Sequence, residues 1–276
     1  MQWRGRRESS NIEDRRRIGG AGVIIIVVLA LFLGVDPSQL LGPGGLDGGT
    51  APGQPVELTA EDEAEGRFVS VVLADTEEIW ARVFKEQLGR TYRPAKLVLF
   101  KEATRSPCGG ASEATGPFYC PSDRKVYLDT DFFTTLHQRL GAGGDFAAAY
   151  VVAHEIGHHI QNELGILGEA NRIRQSVSEA ESNEISVRIE LQADCLSGIW
   201  AREAAQTLGV VDEGDFEEAV NAARQIGDDT LQRNAGQRPM PHTFTHGTSE
   251  QRARWFVIGL KSGELSACDT FAALDL

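Results

Sequence analysis

One stretch of the chain, from Phe146 to Leu164, limits the possible fold more than any other. It reads FAAAYVVAHEIGHHIQNEL and is apolar on nearly all sides, so a helix formed there is stable only when other elements surround it. The chain has 276 residues, of which 41% are hydrophobic and 24% charged, which is enough for a domain with a substantial core. We therefore expect a globular domain with this helix in its middle.

The same helix contains an H-E-x-x-H sequence, from His154 to His158. On a helix, residues four apart lie on one face, so the two imidazoles converge on one point, as tetrahedral zinc requires. Glu155 is turned by about 100° from His154, close enough to take a proton from a water on the metal without being a ligand. The pattern is short and also occurs by chance, but its uncharged flanking residues fit a buried active-site helix.

A zinc ion held by two histidines needs a third protein ligand, and the next helix offers one. Glu190 follows His158 by 32 residues in the sequence IELQADC, and would complete a site with an open position for water. Asp194 lies one turn later on the same face, where it would accept the other ring N–H of a ligating histidine. Such an acidic pair is usually a solvated helix face, but this helix is otherwise apolar. We expect one zinc ion per chain.

A second apolar stretch, Ile18 to Val35, has 18 residues and no charge, and at about 1.5 Å per residue it just reaches across a bilayer core. Six arginines precede it, against three acidic residues, and the positive-inside rule places that side in the cytoplasm. A cleaved signal peptide is the competing interpretation, but Asp36 and Pro37 offer no small-residue cleavage pattern. The sequence thus predicts a single-pass protein of the cell membrane. Its parts are a cytoplasmic tail (1–17), a transmembrane helix (18–35), a Gly/Pro-rich linker (36–55) and an extracytoplasmic domain (56–276).

The charge of the chain argues against nucleic-acid binding. The formal net charge is -13, and residues 1–17 contribute +3 to it, so the remainder carries about -16. This remainder has no basic stripe, which a nucleic-acid surface requires.

Four cysteines in an extracytoplasmic domain favour two disulfides. Cys108 and Cys120 bracket a Gly-rich loop and form the natural local pair, which leaves Cys195 to bond with Cys268; the other pairings stay open. Zinc binding by these cysteines is less consistent with the sequence, because no C-x-x-C pair occurs.

Periodicity places the remaining elements. A long amphipathic helix is predicted from Thr59 to Gly89, a strand at 95–100, and a hairpin within 118–128. Further helices are predicted through 185–200, at 215–232, and from a capping box at Thr248 to about Leu260. We expect an α+β fold that is mostly helical with a small, mostly antiparallel sheet.

Motifs throughout the chain carry a family resemblance. They are RRESSNIEDRRR, CGGASEATGPFYCP, KVYLDTDFF, HEIGHH, ELQADC and HGTSEQR. Together they resemble the bacterial neutral zinc metallopeptidases of the YpfJ type, within the gluzincin group. The resemblance implies a compact gluzincin-like domain in which His154, His158 and Glu190 bind zinc, Glu155 is the base and Asp194 supports a ligand.

The resemblance extends to a loop histidine. His246 and Arg252, six residues apart, are similar to the H-P-x-x-x-x-R element of membrane-associated gluzincins, although Gly247 replaces the proline. We expect His246 to stabilise the oxyanion and Arg252 to hold the loop or a substrate carbonyl, with His242 as the alternative to His246. By analogy, Val126 to Asp129 would be the edge strand that pairs with an extended substrate.

These features predict a membrane-anchored zinc endopeptidase that hydrolyses peptide bonds with a zinc-activated water and Glu155 as general base. Its partners would be a peptide or protein substrate, including envelope or membrane proteins, and the bilayer through residues 18–35. The alternative is a catalytically silent, membrane-tethered zinc-binding scaffold or quality-control module. A structural zinc site fits less well, because such sites close the fourth metal position. His137 and His159 are interpreted as structural.

Overall fold

The computed structural model describes residues 1–17, 57–112, 115–138 and 140–276. The predicted transmembrane helix (18–35) and linker (36–55) lie outside these residues. None of the helices in the described part of the chain combines the length and the apolar character that a bilayer crossing requires.

In the described residues the fold is α+β and mostly helical, with eight α-helices and two small sheets. The helices are α1 (Ala60–Leu88), α2 (Asp131–Gln138), α3 (Asp145–Glu163), α4 (Ile166–Arg174), α5 (Glu179–Glu203), α6 (Asp215–Gln225), α7 (Asp228–Asn234) and α8 (Ser249–Ser262). The strands are β1 (Ile12–Asp14), β2 (Lys96–Phe100), β3 (Ala103–Ser106), β4 (Gly109–Ser112), β5 (Phe118–Cys120) and β6 (Lys125–Asp129).

Helix α1 has the bounds that its sequence predicts. The Thr59 hydroxyl accepts a hydrogen bond from the backbone N–H of Asp62, and the Asp62 carboxylate accepts one from the backbone N–H of Thr59. This reciprocal pair satisfies two N–H groups that have no partner within the helix. At the other end, Gly89 adopts a φ of 63°, which a residue without Cβ reaches at little cost.

The main sheet has the strand order β1-β2-β6-β5. β1 pairs with β2 and β2 with β6 in parallel, and only β5 and β6 are antiparallel. The predicted hairpin within 118–128 is confirmed, but the prediction of a mostly antiparallel sheet is wrong. The connection from β2 to β6 contains the small β3–β4 sheet, and this length lets the chain return to the same end of the sheet before β6 begins.

Helix α3 is the predicted central helix. It packs against α1, α4, α5 and α6 as well as β5, and its residues from Phe146 to Gly157 are all buried.

The helix predicted at 215–232 is instead two helices, α6 and α7, separated at Gly227. A Cβ at Gly227 would lie 2.4 Å from the backbone nitrogen of Ser249, so the glycine permits the close approach of the chain before α8.

Residues 1–17, which the sequence sets apart as a tail, pack on the domain in the structure. β1 extends the main sheet at β2, and Arg6, Arg16 and Arg17 contact α1 or the turn at its start. The edge of β2 offers unpaired backbone groups and α1 offers acidic side chains, and both attract this basic segment.

The described residues contain two disulfides, Cys108–Cys120 and Cys195–Cys268, and this is the pairing that the sequence favours. The first joins the β3–β4 turn to β5, and the second joins α5 to the C-terminal segment after α8.

Candidate metal centre

Three side chains from two helices converge on one point. The Nε2 atom of His154 lies 3.1 Å from Oε2 of Glu190, and the Nε2 atom of His158 lies 3.5 Å from Oε1 of the same carboxylate. One ligand atom from each residue lies within 4.8 Å of the other two. Two imidazole nitrogens and one carboxylate oxygen form a common catalytic zinc site, so this donor set fits a zinc ion.

The site depends on how closely α3 approaches α5. A Cβ added at Gly157 would lie 3.0 Å from the carbonyl oxygen and 3.1 Å from the Cα of Ala193. A glycine in α3 facing an alanine in α5 therefore lets the two backbones come close, and this proximity brings Glu190 within reach of both histidines.

Asp194 determines which nitrogen of His154 faces the metal position. Nδ1 of His154 lies 2.9 Å from Oδ1 of Asp194 and donates its proton there, so Nε2 is the nitrogen that faces Glu190 and the metal position. Burial opposes protonation of His154, but the charge and hydrogen bond of Asp194 raise its pKa from 6.5 to about 10. A metal ion must therefore displace a proton when it binds His154.

Arg252 compensates the buried charge of Asp194. Its Nε and Nη2 atoms donate to the two Asp194 oxygens at 2.8 and 3.0 Å, and the Tyr150 hydroxyl donates to the same carboxylate at 2.5 Å. Asp194 is 0% exposed and Arg252 is 2% exposed, and Arg252 outweighs the effect of burial and lowers the pKa of Asp194. Arg252 also donates to the carbonyl of Ile226, at the end of α6, and its guanidinium is directed mainly at Asp194. Its predicted contact with the His246 loop or a substrate carbonyl stays a prediction. The sequence did not indicate Tyr150.

A glutamine holds the second metal-facing histidine. Nδ1 of His158 lies 2.9 Å from Oε1 of Gln161. The Gln161 amide is itself fixed, because its Nε2 donates to the carbonyl of Ile189 at 2.7 Å and to Oε1 of Gln192 at 3.0 Å. His158 thus donates from Nδ1 and presents Nε2 to the site. Sequence reasoning missed Gln161, although its spacing of three residues from His158 on one helix was a usable signal.

Glu155 is a buried carboxylate at the same site. Its Oε2 atom has no hydrogen-bond partner among the described residues. Burial raises the pKa of Glu155, and the two neighbouring histidines act in the opposite direction. Glu155 lines the same cavity as the two histidines, so a water molecule can reach this side chain, as a general base beside a metal requires.

The structure brings His246 to the metal cavity and leaves His242 elsewhere. His246 lines the cavity that also contains His154, Glu155 and His158, whereas His242 lines a different one; both histidines are exposed. Nδ1 of His246 lies 3.1 Å from Oδ1 of Asp228, and this hydrogen bond is the main cause that raises the pKa of His246. The other Asp228 oxygen accepts the backbone N–H groups of Thr245, His246 and Gly247. Asp228 was not anticipated from the sequence.

The metal residues line a cavity of about 610 Å³. Its apolar wall includes Phe118, Phe132, Leu167, Ile189 and Leu231. A larger cavity of about 1290 Å³ lies at the ends of α1, α4 and α5 and contains none of the metal-facing residues.

The edge strand beside the metal is β5. The sequence analysis gave this place to Val126–Asp129, but these residues lie in β6, which is paired on both sides by β2 and β5. The hairpin turn after Cys120 puts β5 at the end of the sheet, and its residues Phe118 and Tyr119 line the metal cavity. The prediction that Val126–Asp129 is the edge strand is therefore wrong, and among the described strands the edge beside the metal cavity is Phe118–Cys120.

His159 has structural contacts. Its Nε2 atom lies 2.7 Å from the carbonyl oxygen of Arg93, and its Nδ1 atom lies 3.1 Å from the Tyr119 hydroxyl. The ring is buried and joins α3 to β5, so the structure uses it to pack the sheet on the metal helix.

Comparison with known proteins identifies a family. The family model described as "Putative neutral zinc metallopeptidase" matches residues 1–271. The chain is 43% identical to the Escherichia coli (strain K12) protein YpfJ over 295 residues, which cover 98% of this chain and 99% of that protein. It is 40% identical to Rv2575 of Mycobacterium tuberculosis (strain ATCC 25618 / H37Rv) over 259 residues, which cover 90% and 86% of the two chains.

Both relatives are named as uncharacterized proteins, so the comparison gives the family and no substrate. None of the solved structures gives a significant match to the chain. Because the family model covers nearly all residues and the three zinc-type donors meet in the fold, the chain belongs to the neutral zinc metallopeptidase family.

Proposed function

We propose that this protein is a zinc-dependent endopeptidase in which His154, His158 and Glu190 hold the metal and Glu155 is the general base. The observation that carries the proposal is the convergence of three zinc-type donors beside a buried carboxylate oxygen that has no partner among the described residues. This arrangement opens into a cavity large enough for peptide side chains.

A zinc ion, when bound, supplies Lewis-acid polarisation of the scissile carbonyl and acidifies a water molecule. Glu155 takes the proton of the attacking water and passes it to the leaving amine. His246 is oriented by Asp228, whose hydrogen bond raises the pKa of the imidazole, and it donates a hydrogen bond to the developing oxyanion. Asp194 and Gln161 keep the two metal-facing imidazoles in fixed tautomers throughout.

The cavity favours an extended peptide as substrate. β5 pairs with β6 on one side only, so its other edge presents backbone groups that can pair with a peptide strand. The apolar wall of the cavity then accepts substrate side chains. The two disulfides favour an oxidising, extracytoplasmic compartment, where envelope proteins and peptides are the available substrates. Contact of residues 18–35 with the bilayer stays a prediction.

The first test is the zinc content of the full-length protein beside three variants. Glu190→Ala removes a ligand, Glu155→Gln removes only the base, and Glu184→Ala is a control, because Glu184 is an exposed residue of the same helix. We expect about one zinc ion per chain in the wild type, Glu155→Gln and Glu184→Ala, and strong loss in Glu190→Ala. Cleavage of an unfolded protein substrate should fall at least about 100-fold in Glu155→Gln.

Two results would contradict the proposal. Zinc binding that is indifferent to Glu190→Ala would mean that the metal is held elsewhere. A zinc-loaded wild type that cleaves no peptide or protein in a broad substrate panel would favour the silent zinc-binding scaffold instead.

A further inference from the structure

The N-terminal segment, residues 1–17, is built into the main sheet. Its strand β1 pairs in parallel with β2, with Ile12 opposite Leu97 and Asp14 opposite Leu99. The backbone N–H of Leu97 donates to the carbonyl of Asn11 at 2.9 Å, and the backbone N–H of Arg15 donates to the carbonyl of Leu99 at 2.7 Å. β1 thereby covers the edge of the sheet that lies opposite β5.

Helix α1 buries polar groups whose partners come from this segment. Asp75 is 4% exposed, and its Oδ2 atom lies 2.5 Å from Nη1 of Arg6. Ser70 is 5% exposed, and both its carbonyl and its hydroxyl accept the backbone N–H of Ser9. A carboxylate and a hydroxyl are costly to bury without partners, and here the N-terminal segment supplies the partners of both.

A glycine in α1 also indicates that the N-terminal segment packs on this helix. Gly66 lies within the helix, where glycine costs about 0.5–1 kcal/mol relative to alanine. The three atoms closest to an added Cβ all belong to the Arg16 guanidinium, with both terminal nitrogens at 2.5 Å. Arg16 is itself 4% exposed and donates to the carbonyl of Asp62. Gly66 therefore makes the space in which Arg16 lies.

The arginines that predict membrane orientation are used inside the fold. Arg6, Arg7 and Arg17 form ion pairs with carboxylates of α1, and Arg15 and Arg16 pair with carboxylates of β1. The basic character of the segment consequently has a structural explanation that does not require a cytoplasmic location.

The end of the first described part of the chain contacts the beginning of the second. Nη2 of Arg17 lies 2.7 Å from Oε1 of Glu63, and the second described part begins only six residues before Glu63. A single bilayer crossing at residues 18–35 would put residues 1–17 and 57–276 on opposite faces, and β1 could not pair with β2. From these contacts we infer that the N-terminal segment is an integral part of the metal-binding domain and lies on the same side of the membrane as the metal site. The disulfides favour the oxidising compartment as that side.

Cysteine labelling of the full-length protein in spheroplasts of an expression host tests the location. Ser10→Cys marks the N-terminal segment and Glu213→Cys marks the domain; both residues are exposed, and all four native cysteines are in disulfides. We expect both variants to react with a membrane-impermeant maleimide before lysis. Reaction of Glu213→Cys before lysis and of Ser10→Cys only after it would overturn the inference. Reaction of both variants only after lysis would contradict the assignment of the metal-binding domain to the oxidising compartment.

A stability measurement on the full-length protein tests the docking itself. Arg6→Ala should lower the melting temperature by several degrees, because it leaves Asp75 buried without its cation. In an Asp75→Asn background the same change should cost much less, since no charge remains to be compensated. Arg4→Ala is the control, because Arg4 is exposed and contacts the ring of Trp3. Equal melting temperatures for Arg6→Ala and Arg4→Ala would show that the segment does not dock.

Discussion

At the residue scale, each histidine that faces the metal cavity is held at its Nδ1 atom. His154 donates to Asp194 and His158 to Gln161, while His246 donates to Asp228. The partners differ in charge. His158 is held by a neutral amide, whereas the carboxylates at His154 and His246 favour the charged imidazolium. At His154 a metal ion must displace that proton, while at His246 the charged form is the better donor to an oxyanion.

His246 and His242 form a natural pair for mutation, because the two lie four residues apart and only His246 lines the metal cavity. His246→Ala should lower kcat by about 10²–10³-fold with zinc content unchanged, since it removes a donor to the transition state. His242→Ala should leave kcat within about two-fold of the wild type. We would measure kcat for each variant by steady-state kinetics on one peptide substrate, and the zinc content of each variant by elemental analysis. A larger loss of kcat in His242→Ala would reverse the assignment.

The sequence predicts the metal-facing residues much better than it predicts their supports. His154, Glu155 and His158 are identifiable because helical spacing alone makes them converge, and Asp194 because it lies one turn from Glu190. Asp228 is 18 residues from His246 and lies at the start of α7, whereas His246 lies in the loop before α8, so only the tertiary fold brings the two together. Tyr150 was not predicted for another reason. It lies four residues before His154 in an apolar helix, where an aromatic residue is most simply interpreted as part of the core.

At the element scale, the crossing of α5 and α8 depends on glycines. A Cβ at Gly259 of α8 would lie 1.8 Å from the carbonyl oxygen of Cys195, and one at Gly198 of α5 would lie 2.1 Å from the carbonyl oxygen of Phe256. Both helices therefore touch along their backbones. α8 carries Arg252 and α5 carries Asp194, so this crossing also sets the buried ion pair.

Gly259→Ala should separate α5 from α8 and lower the free energy of unfolding by about 3 kcal/mol, at the upper end of the usual range for overpacking. The matched control is Gly168→Ala in α4, where an added Cβ meets nothing within 4 Å. That substitution should raise the free energy of unfolding by about 0.5–1 kcal/mol through helix propensity. Urea unfolding of both variants measures the difference, and equal effects would refute the role of Gly259.

Helix α1 also contains a carboxyl group that opposes folding at high pH. Burial, followed by the charges of Glu61 and Asp62, raises the pKa of Glu65 from 4.5 to about 7. The folded state thus binds a proton that the unfolded state releases between these two values, and the contribution of Glu65 to stability falls as pH rises through this window. Glu65→Gln should therefore stabilise the protein at pH 8 and much less at pH 5.

The measurement for Glu65 is urea unfolding of the wild type and Glu65→Gln at both pH values, with Glu86→Gln as control, because Glu86 is an exposed residue of the same helix. A stabilisation of Glu65→Gln that is equal at pH 5 and pH 8 would count against the raised pKa.

Elements are predictable from sequence where local chemistry defines them. The caps at Thr59 and Thr248 fix the starts of α1 and α8, because each side chain bonds to the backbone within three residues. The parallel pairing of β2 with β6 is not predictable in this way, since alternation of side chains identifies a strand but not its neighbour. The break at Gly227 likewise depends on a contact with Ser249, far along the chain.

At the scale of the whole molecule, contacts between residues distant in sequence support α3 and α5, the two helices that carry the metal-facing residues. The N-terminal segment closes one edge of the sheet, and the C-terminal segment is fastened to α5 by Cys195–Cys268. The carbonyl of Cys268 accepts a hydrogen bond from Gln192, which bonds to Gln161, the partner of His158. Hydrogen bonds therefore run without interruption from the C-terminal bridge to a metal-facing imidazole.

This connection gives the two disulfides different expected effects. Cys195–Cys268 spans 73 residues and Cys108–Cys120 spans 12, so in the loop-closure model they stabilise the fold by about 4 and about 3 kcal/mol. Replacing Cys195 and Cys268 together by serine should also weaken zinc binding, because it loosens the support of His158. Replacing Cys108 and Cys120 should leave zinc binding intact and instead raise KM, because Cys120 lies in β5 beside the substrate cavity.

Unfolding in urea with a chelator present isolates the stability difference between the two double variants, and competition with a chromophoric chelator gives their zinc affinities. We expect weaker zinc binding only in the variant that lacks Cys195–Cys268, because the hydrogen bonds that lead from Cys268 to His158 then lose their covalent support. If both variants bound zinc as tightly as the wild type, Gln161 would orient His158 without help from the C-terminal segment, and the metal site would be a property of α3 and α5 alone.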